Sequence, residues 1–236
     1  MEKRNGLSRN TLKYIAVAAM LIDHIAATFV TDFFLYQIMR MIGRLTAPIM
    51  CYFLAEGYMY TSSKKKYGIR LFTFALISQV PYALLHHNTL LVLDFSMIMT
   101  LFLSFMILYS IEHIEKEWKM IVSVAFLGFL CIFCDWSIFA PFMVFIFYIF
   151  HDRPEVWKKL YIIMSLSLVL SDVIYMVENH LIWYTEICQT GMFLFLIAIS
   201  MYNGKPGKKN MFSKYFFYVF YPLHLMILYL IKVYMH

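Results

Sequence analysis

The chain alternates between long apolar runs and short polar breaks. Nine runs approach the length that crosses a bilayer as a helix, about 17–25 residues. They fall at about 11–33, 35–60, 69–86, 89–111, 120–134, 136–150, 158–177, 181–202 and 212–235. The fifth and sixth are short, which suits tilted or re-entrant pieces. The breaks include SSKKKYGIR, His86-His87-Asn88, EHIEKEWK, HDRPEVWKK, Glu178-Asn179-His180 and YNGKPGKKNMFSK. No internal repeat or low-complexity tract interrupts the series. The pattern predicts an all-α, polytopic transmembrane helical bundle of about nine spans, organised as a single integral membrane domain over 1–236.

Composition agrees with the pattern. Of 236 residues, 62% are hydrophobic and only 14% charged, and mean hydropathy is +0.70. A soluble domain carries about 25% charged residues. The net charge of +6 would suggest nucleic acid in a soluble chain; here it has a topological cause, and no nucleic-acid partner is expected. With the N-terminus cytoplasmic, Lys3, Arg4, Arg9, Lys13, Lys64, Lys65, Lys66, Arg70, Lys116, Lys119, Arg153, Lys158, Lys159, Lys205, Lys208, Lys209 and Lys214 share one side. They are 17 of the 20 basic residues, and the opposite turns hold none. The positive-inside bias therefore predicts nine spans, N-in and C-out, in the cytoplasmic membrane. The basic N-terminus precedes an apolar run, as in a signal peptide, but that run is long and interrupted by Asp23-His24, so it is expected to be retained. Cys131 and Cys134 form a C-x-x-C with no second ligand pair, so no metal site is expected.

Ionisable side chains within the apolar runs carry the functional signal, because each is costly there without a polar neighbourhood. They are Asp23, His24, Arg44, Asp94, Asp172, Glu186 and His224. On the nine-span count all lie from mid-depth outward, the pattern of a shared cavity rather than of lipid-facing charges. Each acid alone also fits a buried ion pair that fixes helix packing. Arg40 and Arg44 are four apart on one helix face, available to pair with Asp23 or to hold an anionic group. Lys13 precedes His24 by eleven residues, about 16.5 Å of helix rise. That spacing suits a long ligand with an anionic head at the cytoplasmic edge and a reactive end deep in the membrane, as in an acyl-CoA. Simple positive-inside bias accounts for the edge lysines equally well.

Several motifs in order resemble one family. The runs KYIAVAAMLIDHIA and GRLTAPIMCYFLAEGYMYT, the basic loop with Tyr67 and Arg70-Leu71, then Pro81, and FFYVFYPLHL are similar to the TraX proteins. That family is named for a conjugation-associated membrane protein that N-acetylates pilin. Its proteins are similar in turn to the membrane acyltransferase-3 group, whose first span carries Arg or Lys, ten residues, then His; Lys13-x10-His24 matches. Glu56-Gly57-Tyr58 falls where that group has a Ser-Gly-Phe-like turn. Lys66 and Arg70 stand near its Arg-x-x-Arg pair but with different spacing. The resemblance implies acetyl-CoA as cytoplasmic donor, held by Lys13, Lys66, Arg70, Glu56 and Tyr58. It implies an acceptor reached from the far side: a peptide N-terminal amine, a sugar or a lipid head group. Within it, His24 takes the general-base role, Asp23 orients or tunes it, and Arg44 stabilises the oxyanion. His224 is a second acid/base or a ligand contact.

Two further classes remain open. Intramembrane Asp, His and Arg also mark proton-coupled transporters, although no inverted repeat is visible. A non-catalytic subunit of a conjugation or secretion assembly fits the same composition.

Overall fold

A computed structural model describes residues 6–207 and 211–235. Lys3, Arg4, Lys208 and Lys209, counted above among the cytoplasmic cations, lie outside the described residues. Regular structure among the described residues is helical, apart from two isolated parallel bridges. The helices are α1 (Arg9–Phe29), α2 (Phe33–Gly43), α3 (Thr46–Tyr60), α4 (Lys64–His87), α5 (Met97–His113), α6 (Glu117–Cys131), α7 (Phe139–Ile149) and α8 (Pro154–Glu178). A 3₁₀ helix (Trp183–Phe193), α9 (Leu194–Ser200) and α10 (Met211–Met235) complete the chain.

Local chemistry sets the starts. Ser8 Oγ accepts from the Thr11 amide at 3.2 Å, Asp32 Oδ1 from Leu35 at 2.8 Å, and Ser63 Oγ from Lys66 at 3.3 Å. Each satisfies an amide left open in a first turn. Asn88, at φ 54°, ends α4 in the left-handed conformation that asparagine tolerates.

Five stretches are long and apolar enough to cross a membrane: Arg9–Phe29, Phe33–Tyr60, Lys64–His87, Pro154–Glu178 and Tyr215–Met235. The protein is thus an all-helical, multi-pass membrane protein. The other apolar runs form shorter helices. The 17 residues of α5 rise about 25 Å, and the 11 of α7 about 16 Å, against a hydrocarbon core of about 30 Å.

Three boundaries differ from the sequence reading. The run at 35–60 is two helices, α2 and α3, because Pro48 has no amide to bond the Arg44 carbonyl one turn back. The run from 89 does not become helical until Met97; residues 88–95 form a loop tied to α4. Gln79 grips the C-terminal end of that loop through both ends of its amide, donating to the Asp94 carbonyl at 2.8 Å and accepting from the Ser96 amide at 3.1 Å. The run at 181–202 opens as a 3₁₀ helix with a non-helical Glu186 (φ −105°, ψ 20°) and becomes α-helical only at Leu194. Pro81 and Pro222, by contrast, sit inside continuous helices.

The chain divides into two compact units, Met1–Met50 with Arg153–Phe217, and Cys51–Asp152 with Tyr218–His236. In the first, α1 and α2 run antiparallel, and small residues on α1 (Ala16, Ala19, Ala26) are buried at close approach. Residues 7–9 pair with the 201–205 loop: Leu7 N–H donates to Met201 O at 2.7 Å and Arg9 N–H to Lys205 O at 2.8 Å. Tyr161 of α8 donates to the Met192 carbonyl at 2.8 Å, fixing the end of the 3₁₀ helix.

In the second unit, α4 and the C-terminal part of α10 run parallel. Arg70 meets Tyr218 near one end, and Lys232 Nζ donates to the Leu85 carbonyl at 3.1 Å near the other. Lys232 thereby satisfies one of the carbonyls left open in the last turn of α4, which accounts for a lysine in an apolar run. Phe95 pairs with residues 133 and 135, closing the α6–α7 turn onto the start of α5. Cys131 and Cys134 pack with Leu103 as buried free thiols.

Gly191 marks the tightest approach in the first unit. A Cβ there would overlap the Met41 carbonyl of α2. Gly191→Ala should lower the melting temperature in lipid nanodiscs, since overpacking costs about 1–3 kcal/mol. Gly128→Ala on α6, where a Cβ meets nothing within 4 Å, should leave it unchanged or raise it. Equal melting temperatures for Gly191→Ala and wild type would refute the close approach.

Candidate active site

The polar centre of the first unit grows from the break between α2 and α3. Gln37, Arg40 and Arg44 lie three and four residues apart, so they line one face of α2 and its cap. Arg40 Nη1 donates to Asp23 Oδ2 of α1 at 2.6 Å, with both side chains under one-fifth exposed. The Arg40 guanidinium also lies 5.9 Å over the Tyr36 ring. Gly43 makes the pairing possible, because a Cβ at that position would run into the Asp23 side chain.

Arg44, the C-cap of α2, lies within electrostatic reach of Asp23, of Asp172 on α8 and of Cys188 on the 3₁₀ helix. The Cys188 thiol itself approaches the Glu186 carboxylate at 3.9 Å. Asp172 takes a further hydrogen bond from Gln189. Thr46 Oγ1 donates to the Ala16 carbonyl at 3.0 Å, tying the first turn of α3 to α1. The result is a mixed-charge cluster of two arginines and three acids, Asp23, Asp172 and Glu186, drawn from four elements.

His24 follows Asp23 on α1 and projects about 100° round the helix from it. It is half-buried, and one and two turns earlier on its face Met20 and Val17 are buried. Its backbone carbonyl accepts from Thr28 Oγ1 at 2.7 Å. Lys13, eleven residues earlier, holds its ammonium 5.5 Å from the centre of the Phe217 ring. Asp23 and Arg44 therefore lie within electrostatic reach of each other, His24 is the next residue of α1, and Lys13 stands at the far end of that helix.

The remaining candidates belong to the second unit. Glu56 is buried on α3. Tyr58, fully buried, donates its hydroxyl to Glu112 at 2.5 Å. Lys64 forms an ion pair with the same carboxylate and lies 4.6 Å over the Tyr58 ring. The Lys64 hydrogen bond, followed by that of Tyr58, holds the Glu112 carboxyl below the usual glutamate range. Lys66 is exposed in the first turn of α4. Arg70 lies 5.0 Å from the Tyr67 ring and 5.3 Å from that of Tyr218, between two aromatic faces. His224 is buried; its Nδ1–H donates to the Phe220 carbonyl at 2.8 Å, and its ring stacks on Phe220 at 5.0 Å. That bond assigns the proton to Nδ1 and leaves the lone pair on Nε2. Asp94, predicted within a span, sits in the 88–95 loop and accepts from Tyr82 at 3.1 Å and from His87 Nε2 at 2.7 Å.

Four contributors escaped the sequence reading: Gln37, Cys188, Glu112 and His87. Gln37 alone carried a signal, as a polar residue on the arginine face of its run. The others depend on partners tens of residues away.

Residues 8–232 match the family described as TraX protein. The chain is also 28% identical over 240 residues to a protein of Dichelobacter nodosus, "Probable fimbrial assembly protein FimC, serogroup H1", covering 97% of each. No solved structure matches.

The Asp23–Arg40 pair yields a double-mutant test. Removing one member of a buried pair leaves an uncompensated charge, at a cost of up to about 3–5 kcal/mol. Arg40→Gln should therefore melt well below wild type, and adding Asp23→Asn should recover part of the loss. Additive losses would mean that the two side chains do not interact.

Proposed function

The chain belongs to the TraX family, and from that premise we propose that it is a membrane-embedded acetyltransferase. It moves an acetyl group from cytoplasmic acetyl-CoA to an acceptor reached from the other face. The observation that carries this reading is the mixed-charge cluster at the α2–α3 break. It sets an arginine, Arg44, beside the acid that precedes His24, in a setting where uncompensated charge is costly.

In this reading His24 is the general base that takes the acceptor proton. Asp23, held by Arg40, orients or tunes its helical neighbour His24. Arg44 stabilises the negative charge on the thioester oxygen. When bound, acetyl-CoA supplies the activated acyl group. Lys66 and Arg70 attract its phosphates, with Lys13 at the cytoplasmic end of α1. Glu56 and Tyr58 shape the donor side, and His224, with its lone pair on Nε2, is a second acid/base. The relative is named a fimbrial assembly protein, which supports a pilin-type subunit as acceptor ahead of a sugar or lipid. The same name supports a second reading, a non-catalytic assembly subunit. We further infer nine spans with the N-terminus cytoplasmic and the C-terminus outside, in the cytoplasmic membrane.

Two experiments test these statements. Purified protein is given labelled acetyl-CoA and an acceptor peptide. Wild type should transfer label, and His24→Ala should retain donor binding but turn over about 10²–10⁴-fold more slowly. A folded His24→Ala at wild-type rate would remove His24 from the chemistry, and no transfer by wild type would favour the assembly role. For topology, a single cysteine at Asn88 should react with an impermeant reagent from outside intact cells and one at Lys205 only after lysis. Reaction of both from the same side would exclude the nine-span arrangement.

A further inference from the structure

The segment Trp183–Phe193 consists of two short 3₁₀ pieces that meet at a kink, in keeping with the short runs such helices form. The helical geometry is interrupted at Glu186, whose φ −105° and ψ 20° are non-helical. One side chain from elsewhere in the chain bridges that interruption. Gln37, buried at 5% exposure on α2, donates Nε2–H to the Thr185 carbonyl at 2.7 Å and accepts the Cys188 amide on Oε1 at 3.1 Å. The two bonds flank Glu186 and engage the carbonyl and amide that an i to i+3 turn from 185 to 188 would pair. A buried amide satisfied in this way is costly to replace, because its two backbone partners would be left unpaired. Gly191, pressed on Met41, makes the second attachment of the same segment to α2. Between these two points the segment delivers Cys188 to Arg44 and Gln189 to Asp172.

We propose that Gln37 is a positioning residue: its amide holds residues 185–190 in the register that sets the 3₁₀ helix against Arg44. The proposal rests on the acetyltransferase reading for its catalytic consequence, while the clamp itself stands on the geometry. Without the clamp the segment opens, Arg44 loses one wall of its surroundings, and the oxyanion contact is misaimed.

The test follows the Cys188 thiol, which is 2% exposed and should be inert to N-ethylmaleimide in the folded wild type. Labelling is read on the Cys188 peptide by mass spectrometry, with full-length protein in nanodiscs. Gln37→Met keeps the volume and removes the amide. Its Cys188 labelling should rise roughly ten-fold or more, as expected when two hydrogen bonds no longer oppose local opening. Gln37→Glu supplies a readout that mere packing would not move. Ionised, it has no hydrogen for Thr185 and should label faster than wild type; protonated, it can make both bonds. The ratio of its labelling rate to that of wild type should therefore fall toward one on acidification. In the transfer assay Gln37→Met should lower kcat with the KM for acetyl-CoA unchanged. Cys188 as inert in folded Gln37→Met as in wild type, or a Gln37→Glu ratio raised equally at every pH, would overturn the proposal. If wild type transfers no acetyl group, the acetyltransferase reading fails while the labelling still decides the clamp.

Discussion

The ion pair between Asp23 and Arg40 is the constraint on which the first unit depends. Both groups sit on helices long and apolar enough to cross a membrane, where an unpaired charge costs several kcal/mol. Their contact at 2.6 Å requires α1 and α2 to approach closely, and that approach requires Gly43. Once the pair is made, Arg44 is left one turn further on, facing Asp172 and Cys188 rather than Asp23 alone. The pair thus fixes packing and selects which arginine faces Asp172 and Cys188. The structural and functional readings of a buried acid are here complementary.

A second economy concerns backbone polar groups, which inside a membrane must find partners within the protein. Pro48 removes the amide that would bond the Arg44 carbonyl, so α2 and α3 part at the arginine. The 3₁₀ segment kinks at Glu186 and is bonded by Gln37 on either side of the kink. Both irregular points adjoin the same cluster of charges. Irregular backbone at membrane depth is tolerated where it lines a polar interior, and the coincidence of two such breaks with the buried charges makes this region the candidate active site.

The second unit shows how far a cation count can mislead about ligands. Lys64 belongs to a basic run that suits phosphate binding, yet its ammonium is paired with Glu112. Arg70, from the same region, lies between two tyrosine rings. Lys232, an outlier in the charge pattern, caps α4 through the Leu85 carbonyl. Three basic residues therefore have three different physical roles.

Hydropathy and charge by themselves determined that this is an all-helical, multi-pass membrane protein, because transfer from water to lipid depends on composition over a window and on little else. The ordered motifs were enough to identify the family, and the polar positions within apolar runs pointed to Asp23, His24, Arg44, Asp94, Asp172, Glu186 and His224, of which Asp23, Arg44, Asp172 and Glu186 meet in the first unit. Tertiary structure alone decided which arginine pairs with Asp23, since two guanidiniums four residues apart differ only in what packs around Gly43. It alone assigned Gln37 to the 3₁₀ helix and Glu112 to Lys64, partners separated by 148 and 48 residues. It also kept residues 89–96 out of the following helix, through Gln79 and the left-handed Asn88. Apolar runs report burial and length; they do not report hydrogen bonds between distant residues, and those bonds build the site.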